Sequence, residues 1–208
     1  MTIHDLNPQC VWKNFYALTQ IPHPSKHEEK ISKFLYQWGK DLGLESFRDE
    51  VGNVIIRKPA TKGMEKCKGI VLQAHMDMVP QKNNDKKHDF TKDPIETVVK
   101  EKEDGLWLYA NGTTLGADDG LGCAAAMAVI ESKDLVHGPV EALFTVDEET
   151  GMNGAFGLDP SNIHSRRLIN LDSEDECVAV ISSAGGERAL MTLECEGVGA
   201  KNKTMSVT

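Results

Sequence analysis

The 208-residue sequence contains no apolar run that approaches the ~20 residues needed to cross a bilayer. Residues 1–6 lack a basic stretch followed by an apolar core, so we expect no signal peptide. The sequence is also poor in positive charge. Its net charge of −9 argues against nucleic acid or an anionic membrane as the main partner. We therefore expect no nucleic-acid partner and no membrane partner.

Cysteine is scarce and scattered, and no C-x-x-C motif occurs. The five cysteines are Cys10, Cys67, Cys123, Cys177 and Cys195. An odd number at irregular spacing predicts neither a disulfide framework nor a thiolate zinc site. We interpret these residues as reduced thiols and expect a cytoplasmic protein.

The sequence predicts an α/β fold with a mixed, partly parallel sheet flanked by helices on both faces. With 40% hydrophobic and 26% charged residues, the composition is that of a globular protein, and the length suits one domain or one and a half. Apolar spacing predicts helices over residues 10–20, 26–42, 121–132 and 151–158, with Ser25 as the cap of the second. Strands are predicted between them, and this alternation is typical of α/β sheets.

The predicted strands fall into two hairpins and five single runs. The hairpins cover residues 46–59, with a turn at Gly52-Asn53, and 95–110, with a turn at Asp104-Gly105. The single strands cover residues 69–74, 140–146 (apolar and polar in alternation), 167–171, 178–181 and 189–193. We see no internal repeat and no domain linker in this order of elements.

The chain is organised around the apolar run at 69–74, which leads into His75 and Asp77. In an extended segment, residues two apart point to the same side. A carboxylate that accepts the proton of one imidazole nitrogen fixes the tautomer and leaves the other nitrogen free for a metal. This pair predicts a metal ligand only if similar side chains gather beside it.

Similar side chains do follow other strands. Glu148 and Glu149 come after the strand at 140–146, Asp172 follows the strand at 167–171, and Asp118 stands at the entry to a buried helix. Ligand-binding sites of open α/β sheets form at the carboxyl ends of the strands. Histidine with carboxylates and without thiolate suits Zn²⁺, with Mn²⁺ or Co²⁺ as alternatives. The sequence therefore predicts a divalent metal site.

The two adjacent glutamates are expected to have different roles. Neighbouring side chains on an extended segment diverge, so Glu148 and Glu149 are not expected to bind one ion in the same way. One can be a ligand while the other takes a proton from water beside the metal. A carboxylate in this second position is the usual general base of metal-assisted hydrolysis.

Together these motifs resemble the aminoacyl-histidine dipeptidases (peptidase D, Xaa-His dipeptidases) of the two-zinc metallopeptidase clan. The resemblance extends to about residue 186 and is carried by residues 21–25, 73–83, 112–120, 137–139, 148–152 and 171–174. The HMD, GADDG and DEETG motifs are shared across the clan, whereas VPQKNN and GMNGAFGL are particular to the dipeptidases. The resemblance implies metal-dependent hydrolysis of dipeptides of the Xaa-His type.

The resemblance also implies a role for each candidate residue. It assigns the zinc ligands to His75, Asp118 (bridging two ions), Glu149 and Asp172. It assigns the orientation of His75 to Asp77 and the general base to Glu148, and it implies a cis peptide between Asp118 and Asp119, with Asp119 not a ligand.

Part of the family pattern has no counterpart in these 208 residues. A late histidine ligand and an inserted lid domain are not found, and the match fades after residue 186. We therefore expect residues 1–186 to be the N-terminal part of a catalytic domain, apparently incomplete. Residues 187–208 are expected to be the start of the lid region or a divergent tail. A family-type homodimer is compatible with the resemblance, although the lid that would mediate it is missing.

Two other functions fit the same residues. One is a non-catalytic, metal-binding, shortened paralogue. The other is a clan relative that removes acyl groups from N-acyl amino acids. Hydrolysis of dipeptides by the chain separates the first alternative from a dipeptidase, and substrate profiling separates the second.

Overall fold

A computed structural model describes residues 1–173 and 178–182 of the chain. The chain divides into two compact units, Met1–Glu174 and Asp175–Thr208. All helices and strands among the described residues belong to the first unit. Its helices are α1 (Gln9–Thr19), α2 (Glu29–Asp41), α3 (Ala117–Glu131) and α4 (Asn153–Gly157). Its strands are β1 (Glu45–Arg48), β2 (Val54–Lys58), β3 (Ile70–His75), β4 (Thr97–Lys102), β5 (Gly105–Ala110), β6 (Val140–Thr145) and β7 (Leu168–Asn170).

The main sheet is mixed, as the sequence predicts. Its strand order is β1-β2-β6-β3-β7, and β4 and β5 form a separate two-stranded hairpin. Strand β3 runs parallel to both β6 and β7, whereas β2 is antiparallel to β6 and to β1. The carboxyl ends of β3, β6 and β7 therefore meet at one edge, where His75 lies opposite Thr145.

The main core lies on one face of this sheet, beneath α1, α2 and α3. Strand residues such as Ala142 and Phe144 are fully buried there, and α3 contributes small side chains such as Ala124 and Ala126. Small residues let α3 approach the strands closely. On the other face, Ile55, Val71 and Leu143 pack with side chains from the segment that follows α4. The flanking helices are thus confirmed, but the three long ones share a face.

Most predicted elements are confirmed within a few residues, but the alternating pattern predicted for β6 is wrong. All six of its residues are buried, because strands flank it on both sides and side chains cover both faces. Its one charged residue, Glu141, is 3% exposed. The carboxylate is paired with Arg57 (3.3 Å to Nε) and accepts the backbone N–H groups of His164 and Ser165.

Two further predictions fail and two cannot be compared. Ser25 does not cap α2, which begins at Glu29; the Ser25 hydroxyl donates to Asp77 instead. The strand predicted at 178–181 does not form: residues 178–182 are exposed, and the described part of the chain gives them no partner strand. The strand at 189–193 lies outside the described residues. The predicted boundary at residue 186 also lies outside them and stays a prediction.

The described residues include the cysteines Cys10, Cys67 and Cys123, and none of these forms a disulfide within the described part of the chain. No helix among the described residues is long and apolar enough to traverse a bilayer.

The contact between α2 and the sheet leaves no room for a side chain at Gly39. A Cβ there would lie 2.8 Å from Ile56 Cδ1 and would also clash with the Ser46 hydroxyl. Glycine to alanine normally stabilises a helix interior, by up to about 1 kcal/mol. Here we expect Gly39→Ala to lower the free energy of unfolding by about 1–3 kcal/mol, because overpacking outweighs helix propensity. Denaturant unfolding measures this, with the exposed Lys40→Ala as control. A rise in stability would contradict the packing described.

Candidate metal centre

His75 and Asp77 stand together at the carboxyl end of β3, as the sequence predicts. His75 Nδ1 lies 3.3 Å from Asp77 Oδ1 and 3.1 Å from the Asp77 backbone oxygen. Both residues are 1% exposed. With Nδ1–H donating to Asp77, the ring is held in the tautomer whose Nε2 is left for a metal.

His75 lies near two carboxylates from other elements. Asp118 comes from the first turn of α3, and Glu149 from the turn after β6. Ligand atoms of these three residues lie within 4.8 Å of one another, and His75 Nε2 is 3.0 Å from Asp118 Oδ1. Atoms that share one zinc ion at 2.0–2.2 Å lie at most about 4.4 Å apart. One nitrogen and two carboxylates at this spacing fit a divalent metal with a small adjustment.

Glu148 stands beside this group. Its Oε2 is 4.0 Å from His75 Nε2, and its side chain is one-third exposed. The two glutamates lie in a turn, because the N–H groups of Gly151 and Met152 both donate to the Glu148 carbonyl. The extended geometry assumed from the sequence is therefore wrong. The roles assigned to the two glutamates stay predictions.

Asp172 lies at the same edge without belonging to the three-residue group. It follows β7, which pairs in parallel with β3, and its side chain is exposed. Its negative charge helps to raise the pKa of Glu148, although burial contributes more. The ligand role of Asp172 stays a prediction.

Asp119 is not a member of the ligand group. The peptide between Asp118 and Asp119 is cis, as the resemblance implies. The Asp119 carboxylate accepts the backbone N–H groups of His75 and Gly122, both at 3.2 Å. A Cβ at Gly122 would collide with this carboxylate, so glycine is required there. Asp119 thus supports the backbone of His75, which the buried Cys123 thiol also contacts at the carbonyl oxygen (3.2 Å).

The electrostatics of the site favour a cation. Burial raises the pKa of Asp119 to about 7, and burial together with neighbouring carboxylates raises the pKa of Glu148 and of Glu149. Burial lowers the pKa of His75, but its bonds to Asp77 and Asp118 outweigh this and raise it to about 10. Crowded carboxylates stabilise a positive charge in their midst, which is what a divalent ion provides.

Two residues near the site were missed by the sequence reasoning. Ser25 donates to Asp77 Oδ2 (2.8 Å), and Glu28 accepts the backbone N–H of Asp147 (3.2 Å), the residue before the glutamates. We interpreted Ser25 only as a helix cap, and Glu28 only as part of the helix predicted over residues 26–42. For Ser25 a signal existed, because residues 21–25 carry part of the family resemblance.

The chain is similar to known peptidases along most of its length. The model of "Peptidase family M20/M25/M40" matches residues 71–186, more than half of the chain. The cytosol non-specific dipeptidase of Escherichia coli is 49% identical over 208 residues, which is 99% of this chain and 42% of that protein. The uncharacterised protein YqjE of Bacillus subtilis is 32% identical over 191 residues, 86% of this chain and 47% of that protein.

Solved structures of two peptidases are also similar to the chain. Aminoacylhistidine dipeptidase from Vibrio alginolyticus superimposes with a TM-score of 0.81 at 50% identity, over 85% of this chain and 35% of that one. Aminopeptidase PepT from Bacillus cereus gives a TM-score of 0.66 at 31% identity, over 82% of this chain and 44% of that one. The chain therefore spans less than half the length of each of these relatives.

Proposed function

The chain belongs to peptidase family M20/M25/M40, and on that premise we propose that it carries the metal-binding edge of a metal-dependent dipeptidase. The observation that supports this most is the group of His75, Asp118 and Glu149, whose ligand atoms lie within 4.8 Å of one another, with the Glu148 carboxylate beside it. The proposed substrates are unblocked dipeptides, including those that end in histidine, because the named relatives are dipeptidases. Activity is proposed for a protein of the relatives' length.

The donor set suits zinc, with Mn²⁺ or Co²⁺ as alternatives, and Asp172 together with Asp118 would hold a second ion. A bound divalent ion would polarise the scissile carbonyl and lower the pKa of the attacking water.

Side chains of the chain itself orient the histidine and transfer the proton. Asp77 holds the tautomer and ring orientation of His75. Glu148 takes a proton from the attacking water and then donates it to the departing amine. Its pKa, raised by burial and by the nearby carboxylates, brings it closer to working pH and suits this exchange.

The compartment is proposed from the name of a relative, and the oligomeric state from the family resemblance. The E. coli relative is named as a cytosol protein, and we propose the same compartment for this one. A homodimer of the family type remains a prediction, because the lid expected to mediate it has no counterpart among these residues.

Metal removal tests the proposal. We expect a chimera, in which this chain replaces its matched segment of the E. coli dipeptidase, to hydrolyse Xaa-His dipeptides. Dialysis against a chelator should abolish hydrolysis, and Zn²⁺, Mn²⁺ or Co²⁺ should restore it. Bound metal is measured on the same preparation and on the 208-residue chain alone.

Three outcomes would contradict the proposal. A folded chain that retains no metal overturns the site. A chimera that binds metal but hydrolyses no dipeptide indicates a non-catalytic paralogue. A chimera that hydrolyses only N-acyl amino acids indicates a deacylase.

A further inference from the structure

The stretch between α1 and α2 lies against the site as a strap, here defined as residues 21–28. The Ser25 N–H donates to the Met78 carbonyl (3.2 Å), and the Met78 N–H donates to the His23 carbonyl (3.3 Å). Pro24 and Met78 form an isolated parallel bridge. The strap is thus bonded, as a short strand would be, to the residue directly after Asp77.

The strap completes the hydrogen bonding of Asp77. Oδ1 accepts the Glu148 N–H at 3.0 Å and lies 3.3 Å from His75 Nδ1. Oδ2 accepts the Ser25 hydroxyl at 2.8 Å and the Glu149 N–H at 3.3 Å. Both oxygens are engaged, and the donors come from three separate parts of the chain.

Asp77 therefore joins the histidine to the turn that carries both glutamates. Its side chain is fully buried, so water is not at hand to replace a lost donor. The bonds from His75 and Glu148 converge on Oδ1, and those from Glu149 and Ser25 on Oδ2. Without the serine hydroxyl, the remaining bond to Oδ2 is the longer one, and the carboxylate gains freedom to rotate.

We propose that Ser25 is a positioning residue of the metal centre, acting through Asp77. Its hydroxyl fixes the rotation of the Asp77 carboxylate, and that carboxylate sets both the direction of His75 Nε2 and the position of the glutamate turn. The proposal rests on the proposed function only in taking His75 and Glu149 as ligands.

A second side chain of the strap, that of Glu28, also bonds to the glutamate turn. Glu28 is 8% exposed, and its Oε1 accepts the backbone N–H groups of Lys26 (2.7 Å) and Asp147 (3.2 Å). The strap thus contacts the glutamate turn directly as well as through Asp77. Ser25 is the better probe, because one oxygen can be removed without changing charge.

Metal affinity of the 208-residue chain tests the proposal. We expect Ser25→Ala to weaken Zn²⁺ binding about 10-fold, the lower end of the range typical for residues that support a ligand. Ser25→Thr keeps a hydroxyl and should bind Zn²⁺ nearly as the unaltered chain does. Competition with a chromophoric chelator measures the affinity, and thermal unfolding of the metal-free chain measures stability.

Ser32→Ala is the matched control. The Ser32 hydroxyl is buried, donates to the Gly52 carbonyl and accepts from Arg48 Nε (2.7 Å). It has no bond to the metal centre. We expect Ser32→Ala to lower the unfolding temperature and leave Zn²⁺ affinity unchanged.

The outcomes decide between positioning and plain structural support. If Ser25→Ala leaves Zn²⁺ affinity unchanged, or if Ser32→Ala weakens it equally, the positioning role is wrong. A Ser25→Thr variant as weak as Ser25→Ala also overturns it, since the hydroxyl is then not what matters. Failure of the proposed function would instead show in the unaltered chain, as absent metal binding or an inactive chimera.

Discussion

Glu148→Gln should reduce dipeptide hydrolysis by the chimera about 10²–10⁴-fold, the usual loss when a general base is removed. Glutamine keeps the shape of the side chain but cannot take a proton from water. The Glu148 carboxylate lies beside the ligand group, 4.0 Å from His75 Nε2, and is not one of its three members. Bound metal should therefore stay near the amount in the unaltered protein.

Rate and metal content must be measured on one preparation, because loss of metal would also lower the rate. Glu65→Gln serves as control, since Glu65 is exposed and its carboxylate accepts the nearby Gly63 N–H. This control should change neither quantity. If Glu148→Gln retained full activity, the mechanism proposed for this edge of the sheet would be wrong.

We expect Glu149→Gln to weaken metal binding. Its carboxylate is a member of the group around His75 Nε2, and a neutral amide is a poorer zinc ligand than a carboxylate. Changes in residues that only support a ligand cost about 10–100-fold in affinity. We expect replacement of a ligand itself to cost at least about 100-fold, measured by chelator competition on the 208-residue chain.

The pair of variants also distinguishes the two roles. With zinc in large excess, Glu149→Gln should recover part of its activity because the site refills, whereas Glu148→Gln should not. The opposite pattern, with metal lost in Glu148→Gln and retained in Glu149→Gln, would reverse the assignments. Two unchanged variants would mean that the turn after β6 is a solvated loop.

The sequence was informative where the pattern depended on neighbours along the chain. The contact between His75 and Asp77 follows from a spacing of two in an extended segment, and the hairpins follow from turn residues between apolar runs. The meeting of three strand ends was predictable because parallel strands place their carboxyl ends at one edge. The structure confirms these expectations for the fold.

The sequence was less informative where distant segments decide the environment. The burial of Glu141 depends on Arg57 and on the backbone at 164–165, which no local pattern reveals. Ser25 has the position of a helix cap, yet its hydroxyl bonds to a carboxylate 52 residues away. Such choices are set by tertiary contacts, and intrinsic preference is too weak to predict them.

The candidate ligands come from segments that are far apart along the chain. His75 and Asp118, whose side chains approach to 3.0 Å, are 43 positions apart, and Glu149 lies on a third segment. These three residues are close enough to share an ion only when the chain is folded. Metal binding therefore raises the free energy of unfolding, by about 2.7 kcal/mol when the free ion is at 100 times its dissociation constant. The melting temperature of this protein is then a property of the metal supply in its surroundings, and not of the polypeptide alone.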